Sequence, residues 1–154
     1  MTKSFTLFSI IILFSACSSL KKITTESSIG VLAYLNYDLK TVRSNEIDTL
    51  YYVITNQREF ENTFKVTRSI DVNSPNFAGQ TLVAISTPST TRLKVIRAAI
   101  ASSDLNVYAG LCDIKEAGCP ENGLAVSTVP KSLSVKWVNF YLDGSMVKKM
   151  PVFY

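Results

Sequence analysis

Three cysteines are the residues of this 154-residue chain best suited to covalent chemistry, and the chain contains no histidine. Histidine is the usual general base near neutral pH, so its absence excludes Ser-His-Asp and Cys-His catalysis. The sequence has neither a Gly-x-Ser-x-Gly elbow nor a glycine-rich phosphate loop. Glu59 and Glu61 lie two positions apart in a predicted helix, so their carboxylates point to different faces. We therefore expect no enzymatic activity and identify no catalytic residue.

Cys112 and Cys119 form the one cysteine pair within the folded part of the chain. In an oxidising compartment such an even pair indicates a disulfide, and two free thiols are the alternative. A metal site is a third possibility, but the chain lacks histidine and its nearby acidic residues have no recognisable ligand spacing. We predict a disulfide, with no metal and no other cofactor.

Residues 1–16 have the features of a cleaved leader. A positive charge at Lys3 precedes an apolar segment over residues 5–14, which is too short to span a bilayer as a helix. Small residues then lead to Cys17, an arrangement that resembles the bacterial lipobox, in which the cysteine receives a diacylglycerol before cleavage. The alternative is an ordinary secretory signal with an incidental cysteine. We predict lipidation of Cys17 and anchoring to the membrane through the attached lipid.

The residues after Cys17 bear on the location of the protein. In lipoproteins of diderm bacteria, an aspartate directly after the lipidated cysteine commonly retains the protein in the inner membrane, and Ser18 stands there in this chain. Lys21 and Lys22 lack the acidic character that some bacteria use to send lipoproteins to the cell surface. The resemblance therefore implies a bacterial envelope protein, anchored in the outer membrane and facing the periplasm.

The composition of the mature chain indicates one domain without a nucleic-acid footprint. Removing the leader takes away Lys3 and lowers the net charge from +4 to +3. The basic residues are scattered, with Lys21-Lys22 and Lys148-Lys149 the only basic pairs, so we expect no nucleic-acid partner. We assign residues 17–28, rich in serine, threonine and lysine, to the lipidated cysteine and a tether, and residues 29–154 to a single domain.

The pattern of the domain is mainly β, a β-rich α+β arrangement. Asn56 followed by Glu59 is a capping-box arrangement, and it predicts one short helix near residues 57–65 with Phe60 and Phe64 on one face. Strand-like runs follow, and we expect residues 81–86 to pair with residues 92–101 across the loop at 87–91. Asp143-Gly144 predicts a hairpin between residues 134–142 and 145–153. The predicted fold is an antiparallel sheet or a two-layer sandwich with one helix.

Three short segments resemble the PrcB-type domain of small bacterial envelope lipoproteins associated with protease complexes. They are Glu59-Phe60 in the helix, Asn76-Phe77-Ala78 before a core strand, and Val129-Pro130-Lys131 near the end of a later strand. The similarity covers about residues 51–141. The loop after the core strand is usually glycine-rich in that family, and residues 87–91 contain no glycine. The resemblance implies a non-catalytic protein that stabilises or restrains an envelope protease.

Three functional hypotheses follow from the sequence. The first is a module that binds a protein partner, and the candidate residues are those of the loop between two strands: Thr87, Pro88, Ser89, Thr90 and Thr91. The plainer interpretation of this loop is a simple hairpin connection. A second candidate surface is the tyrosine group formed by Tyr34, Tyr37, Tyr51 and Tyr52, although such residues also close sheet faces. The other hypotheses are a structural outer-membrane lipoprotein without a protease connection, and a carrier of a small apolar ligand.

Overall fold

The computed structural model describes residues 25–41, 48–67, 73–88 and 90–154. The leader, Cys17 and most of the predicted tether lie outside these ranges, as does Ser89 of the candidate loop. Within the described ranges, no helix has the length and apolar character needed to cross a membrane.

The described part of the chain is mainly β, as predicted, with one short helix. Its elements in chain order are β1 (Ser27–Ile29), β2 (Leu32–Tyr34), β3 (Tyr37–Leu39), β4 (Leu50–Ile54), α1 (Gln57–Thr63), β5 (Phe64–Val66), β6 (Gln80–Ser86), β7 (Leu93–Ala101), β8 (Asp104–Leu111), β9 (Leu124–Pro130), β10 (Trp137–Leu142) and β11 (Ser145–Pro151). Ser27 and Ser28, which we assigned to the tether, instead pair with β7 and begin the folded part of the chain.

The strands of the described residues form three sheets. One has five strands in the order β1-β7-β8-β10-β11, the second has four in the order β2-β9-β6-β4, and β3 pairs with β5 alone. The expectation of purely antiparallel pairing is wrong at one place, because β10 runs parallel to β8. This happens because the chain leaves β8, contributes β9 to the four-stranded sheet and only then returns as β10.

The β6 strand joins two hydrophobic clusters. Val83 and Ile85 belong to a cluster that includes residues of the five-stranded sheet, such as Val107 and Phe140. Leu82, on the opposite face of β6, belongs to a second cluster that includes the aromatic residues of α1 and β3. Because both faces of β6 are covered, its central residues 82–85 form a continuous apolar run without the alternation of a half-buried strand.

The helix begins as predicted and ends earlier than predicted. Asn56 caps it, with the side-chain oxygen accepting a hydrogen bond from the backbone N–H of Glu59 at 2.9 Å. Phe60 and Phe64 are both buried and their ring centroids lie 5.5 Å apart. However, α1 ends at Thr63, and Phe64 is already extended because it pairs with Leu39 in β3.

The predicted pairing of residues 81–86 with 92–101 is wrong. β6 pairs with β4 and β9, whereas β7 pairs with β1 and β8 in the other large sheet. The loop at 87–91 is therefore a crossover between two sheets and is not a hairpin connection. The hairpin at Asp143-Gly144 is confirmed: both residues have positive φ, at 49° and 81°, and they join β10 to β11.

Candidate functional site

The candidate loop is fixed to a second loop at one end of the domain. Thr87 is buried, and its backbone N–H donates a hydrogen bond to the carbonyl oxygen of Gly123 at 2.8 Å. The Thr87 hydroxyl shares its single proton between the same carbonyl, at 3.0 Å, and the carbonyl of Thr91. The N–H of Thr91 donates to the carbonyl of Pro88 at 2.9 Å, which closes the turn. The crossover is thus held at both of its ends.

Gly123 is the residue that allows the two loops to approach closely. Its φ is +70°, a conformation that glycine adopts without steric cost. A Cβ atom at this position would lie 2.9 Å from the backbone oxygen of Thr87. The neighbouring Asn122 side chain donates to the carbonyl of Tyr37 at 3.0 Å and so connects the same loop to β3.

The predicted disulfide is present in the second loop. Cys112 and Cys119 are bonded, with their Cα atoms 5.8 Å apart. The N–H of Cys112 donates to the carbonyl of Arg92, next to the crossover, at 3.1 Å. Lys94 pairs with Glu116 inside the disulfide loop, and the hydrogen bond from Lys94 lowers the pKa of the Glu116 carboxyl. The disulfide loop is therefore attached to β7 as well as closed on itself.

We call residues 87–91 and 111–123 together the two-loop tip. Its surface includes apolar side chains, since Leu111 is 66% exposed and Ile114 is 50% exposed. Thr90 is also exposed, whereas Thr87 is buried and serves to hold the loop. Of the candidate loop residues that the structure describes, Thr90 is the one best placed to contact a partner.

The tyrosine group does not form a surface. Tyr34 and Tyr37 are buried in the second hydrophobic cluster, and burial raises the pKa of the Tyr37 hydroxyl. Tyr51 packs against Phe140, with ring centroids 5.0 Å apart, and burial likewise raises its pKa. Tyr52 packs against an aromatic ring of β5. The plainer interpretation, that these tyrosines close sheet faces, fits their positions.

The three segments that carry the PrcB-type resemblance contact one another. Phe60 and Phe77 have ring centroids 5.7 Å apart. The backbone N–H of Lys131 donates to the carbonyl of Gly79 at 2.9 Å, and its amine donates to the carbonyl of Phe77 at 3.4 Å. These contacts give the segments a role in packing.

A polar cleft at the other end of the five-stranded sheet was not predicted from the sequence. It lies where β7 and β8 meet at Ala101 and Asp104, while the two-loop tip lies where they meet at Leu93 and Leu111. At about 3.3 Å per residue, the two ends are about 26 Å apart. The sequence carries a signal for this cleft, because polar or aromatic residues alternate with the apolar core residues along β8 and β10.

Comparison of the chain with protein-family models, with curated proteins and with solved structures gave no match.

Proposed function

We propose that this chain is a lipid-anchored, non-catalytic protein of the bacterial cell envelope that binds a protein partner through the two-loop tip. The observation that carries the proposal is the construction of the tip, in which a disulfide and hydrogen bonds hold two loops while Leu111 and Ile114 remain exposed. Binding residues concentrate on loops that a rigid scaffold positions. A loop that is ordered in advance also loses little conformational entropy when it binds.

The two larger sheets form, in this proposal, the two layers of a sandwich. Support comes from the hydrophobic cluster to which both sheets contribute and from the contact between Tyr51 of β4 and Phe140 of β10. The chain enters this domain beside Ile100, at the end of β7 opposite the tip. If the ten residues from Cys17 to Glu26 behave as a polar random coil, their ends would lie about 17 Å apart on average. Lipidation of Cys17 would thus direct the tip away from the outer membrane and into the periplasm.

An envelope protease complex is the partner that the PrcB-type resemblance implies, and we propose that the chain stabilises or restrains such a complex. The segments that carry the resemblance are joined to one another by Phe60, Phe77 and Lys131, and we assign the binding surface to the tip instead. The tip would supply it, and its chemistry favours a partner with an apolar groove for Leu111 and Ile114.

Site-specific crosslinking in cells tests this proposal. A photo-crosslinking amino acid in place of Thr90 is compared with the same amino acid in place of Leu133, which is 76% exposed and follows β9 at the end away from the tip. We expect a protease or its accessory subunit to be captured from position 90 and not from position 133. Capture should also fall in the unanchored variant Cys17→Ala, and the mass of the membrane-bound protein should include a lipidated Cys17.

Two outcomes would overturn the proposal. Equal capture of abundant outer-membrane proteins from both positions would favour the alternative, a structural outer-membrane lipoprotein without a protease connection. Finding the native chain soluble and without a lipid on Cys17 would overturn the proposal that it is a lipid-anchored envelope protein. A partner captured from position 90 that is not a protease would keep the tip as a binding surface and remove the protease connection.

A further inference from the structure

The polar cleft on the outer face of the five-stranded sheet has a volume of about 380 Å³. Its polar and aromatic lining comes from Glu26, Ser102, Asp104, Asn106, Asn139 and Tyr141. The strand positions between these residues in β8 and β10 carry the buried side chains of the core, so the lining projects from the opposite face. The volume falls within the range of small-molecule sites, which is about 300–1,000 Å³.

Hydrogen bonds connect the lining residues into one chain. The Asn139 amide donates to Asp104 and to the side-chain oxygen of Asn106, both at 3.0 Å. Asn106 in turn donates to Glu26 at 2.7 Å. Reversing either amide would place an oxygen against another oxygen, so both orientations are fixed. The side-chain oxygen of Asn139 is buried and has no hydrogen-bond donor among the described residues.

Two cations balance the two carboxylates of the cleft. Arg97 lies 3.4 Å from Glu26, and Lys149 lies 3.2 Å from Asp104. The hydrogen bond from Tyr108 lowers the pKa of Glu26. At Asp104, partial burial raises the pKa of the carboxyl. Hydrogen bonds from Asn139 and Lys149 have the larger effect together, so the pKa of Asp104 is also lowered.

The ionised carboxylates are therefore acceptors only, and neither holds the proton that a general acid needs. A bound metal ion would have to displace Arg97 and Lys149 from them. Among the described residues, no cluster of three or more acidic or cysteine side chains could hold a metal. The balance of charge instead favours a neutral ligand that donates hydrogen bonds.

Aromatic rings lie beside these acceptors. Tyr141 stacks on Tyr108, with ring centroids 4.8 Å apart and an angle of 21° between the planes. The guanidinium of Arg97 lies 3.5 Å from the centroid of the Tyr108 ring, so three side chains form a row across β7, β8 and β10. Trp137 pairs with Asp104 in the strand register and lies under the amine of Lys149. The cleft itself thus offers fixed acceptors next to the aromatic ring of Tyr141.

We propose that this cleft binds a neutral saccharide unit. A sugar ring carries several hydroxyl donors around its edge and apolar C–H groups on its faces, which match the acceptors and the Tyr141 ring. The side chains of Glu26 and Asp104 remain 33% and 29% exposed, so a ligand can reach them. This site is separate from the two-loop tip, and it adds a glycan ligand to the proposed protein partner.

Fluorescence of Trp137 offers a direct test, because it is the only tryptophan in the chain and stands next to Asp104. The purified full chain is titrated with three neutral trisaccharides, made of N-acetylglucosamine, β-linked glucose or α-linked glucose, and with an acidic one made of galacturonic acid. We expect a saturable change with at least one neutral sugar and binding at least about tenfold weaker for the acidic sugar, since the cleft has no excess of cations. Equal binding of the acidic and neutral sugars would overturn the assignment of a neutral ligand.

Variants locate the site. Asp104→Asn removes an ionised acceptor with little change of shape, and Tyr141→Ala removes the stacking surface. Each should weaken binding by about tenfold or more, whereas Val66→Thr in β5, at a side chain that is 51% exposed and lies outside both the cleft and the two-loop tip, should leave it unchanged. A native chain with no saturable response to any neutral trisaccharide at tens of millimolar would overturn the proposal, as would equal affinities in all variants. If both cleft variants fail to fold, the side-chain amide NMR signals of Asn106 and Asn139 in the native chain decide instead: they must shift with sugar for the proposal to stand.

Discussion

Thr87 and Gly123 are joined twice, because both the backbone N–H and the hydroxyl of Thr87 donate to the Gly123 carbonyl, at 2.8 Å and 3.0 Å. This double contact connects the crossover between the two larger sheets to the loop that carries the disulfide. The two-loop tip should therefore behave as one unit. A substitution in either loop should also affect the stability of the other loop.

Gly123→Ala should destabilise the domain by about 2–4 kcal/mol. Alanine at φ +70° costs about 1–2 kcal/mol, and its Cβ would also displace the Thr87 oxygen 2.9 Å away. Gly118→Ala is the matched control, since φ there is +80° but nothing lies within 4 Å of the added atom. Urea unfolding of the three proteins measures the difference. Equal losses at the two glycines would show that the approach of the loops contributes nothing.

Loss of the disulfide should cost about 2.5 kcal/mol of unfolding free energy, since it closes a loop of about eight residues. The double variant Cys112→Ser/Cys119→Ser and the native chain treated with reductant should lose similar amounts. Thermal unfolding with and without reductant measures both. Reductant should leave the double variant unchanged, and a further loss there would contradict this account.

Phe140→Ala should be among the most damaging single changes, at about 3–5 kcal/mol. Phe140 is fully buried, and its ring packs against Tyr51 between the two larger sheets. Phe153→Ala is the control, because that side chain is 77% exposed and should change stability by no more than about 0.5 kcal/mol. Chemical unfolding of both variants tests the difference, and similar losses would mean that the contact between the sheets is not a stabilising one.

Acid should weaken the domain through Glu26. Its pKa in the folded protein lies below the ordinary value of 4.5, so its contribution is complete above that value and is lost as the pH falls through the folded pKa. Tyr108→Phe removes the hydrogen bond that contributes most to this shift. The variant should therefore lose less stability than the native chain between about pH 5 and pH 3. Melting temperatures across that range measure it, and parallel pH profiles would contradict the role of the Tyr108 hydroxyl.

Local features of the fold could be predicted from the sequence. The cap at Asn56, the turn at Asp143-Gly144 and the Cys112–Cys119 bond each depend on a few neighbouring residues with specific chemistry. The capping residue and the hairpin glycine determine the backbone within their own turn. These features can therefore be predicted without knowing which other segments of the chain lie nearby.

Strand partners could not be predicted in the same way. The apolar run of β6 shows that the strand is buried on both faces, but burial does not say which strands lie beside it. The polar cleft has the same difficulty, because Glu26, Asn106 and Asn139 come from three segments that meet only once β1, β8 and β10 are in place. The sequence offers the residue types of the cleft, and the long-range pairing brings them together.

The parallel pairing of β10 with β8 also constrains how the domain forms. The five-stranded sheet is complete only when residues 137–142, which follow β9 in the chain, have paired with β8. β1 is also far in sequence from its partner β7, since Ser28 pairs with Ala99. Contacts so distant in sequence make folding slow, on the order of milliseconds to seconds. We therefore expect a newly synthesised chain to expose unpaired strand edges until β10 and β11 have joined the sheet.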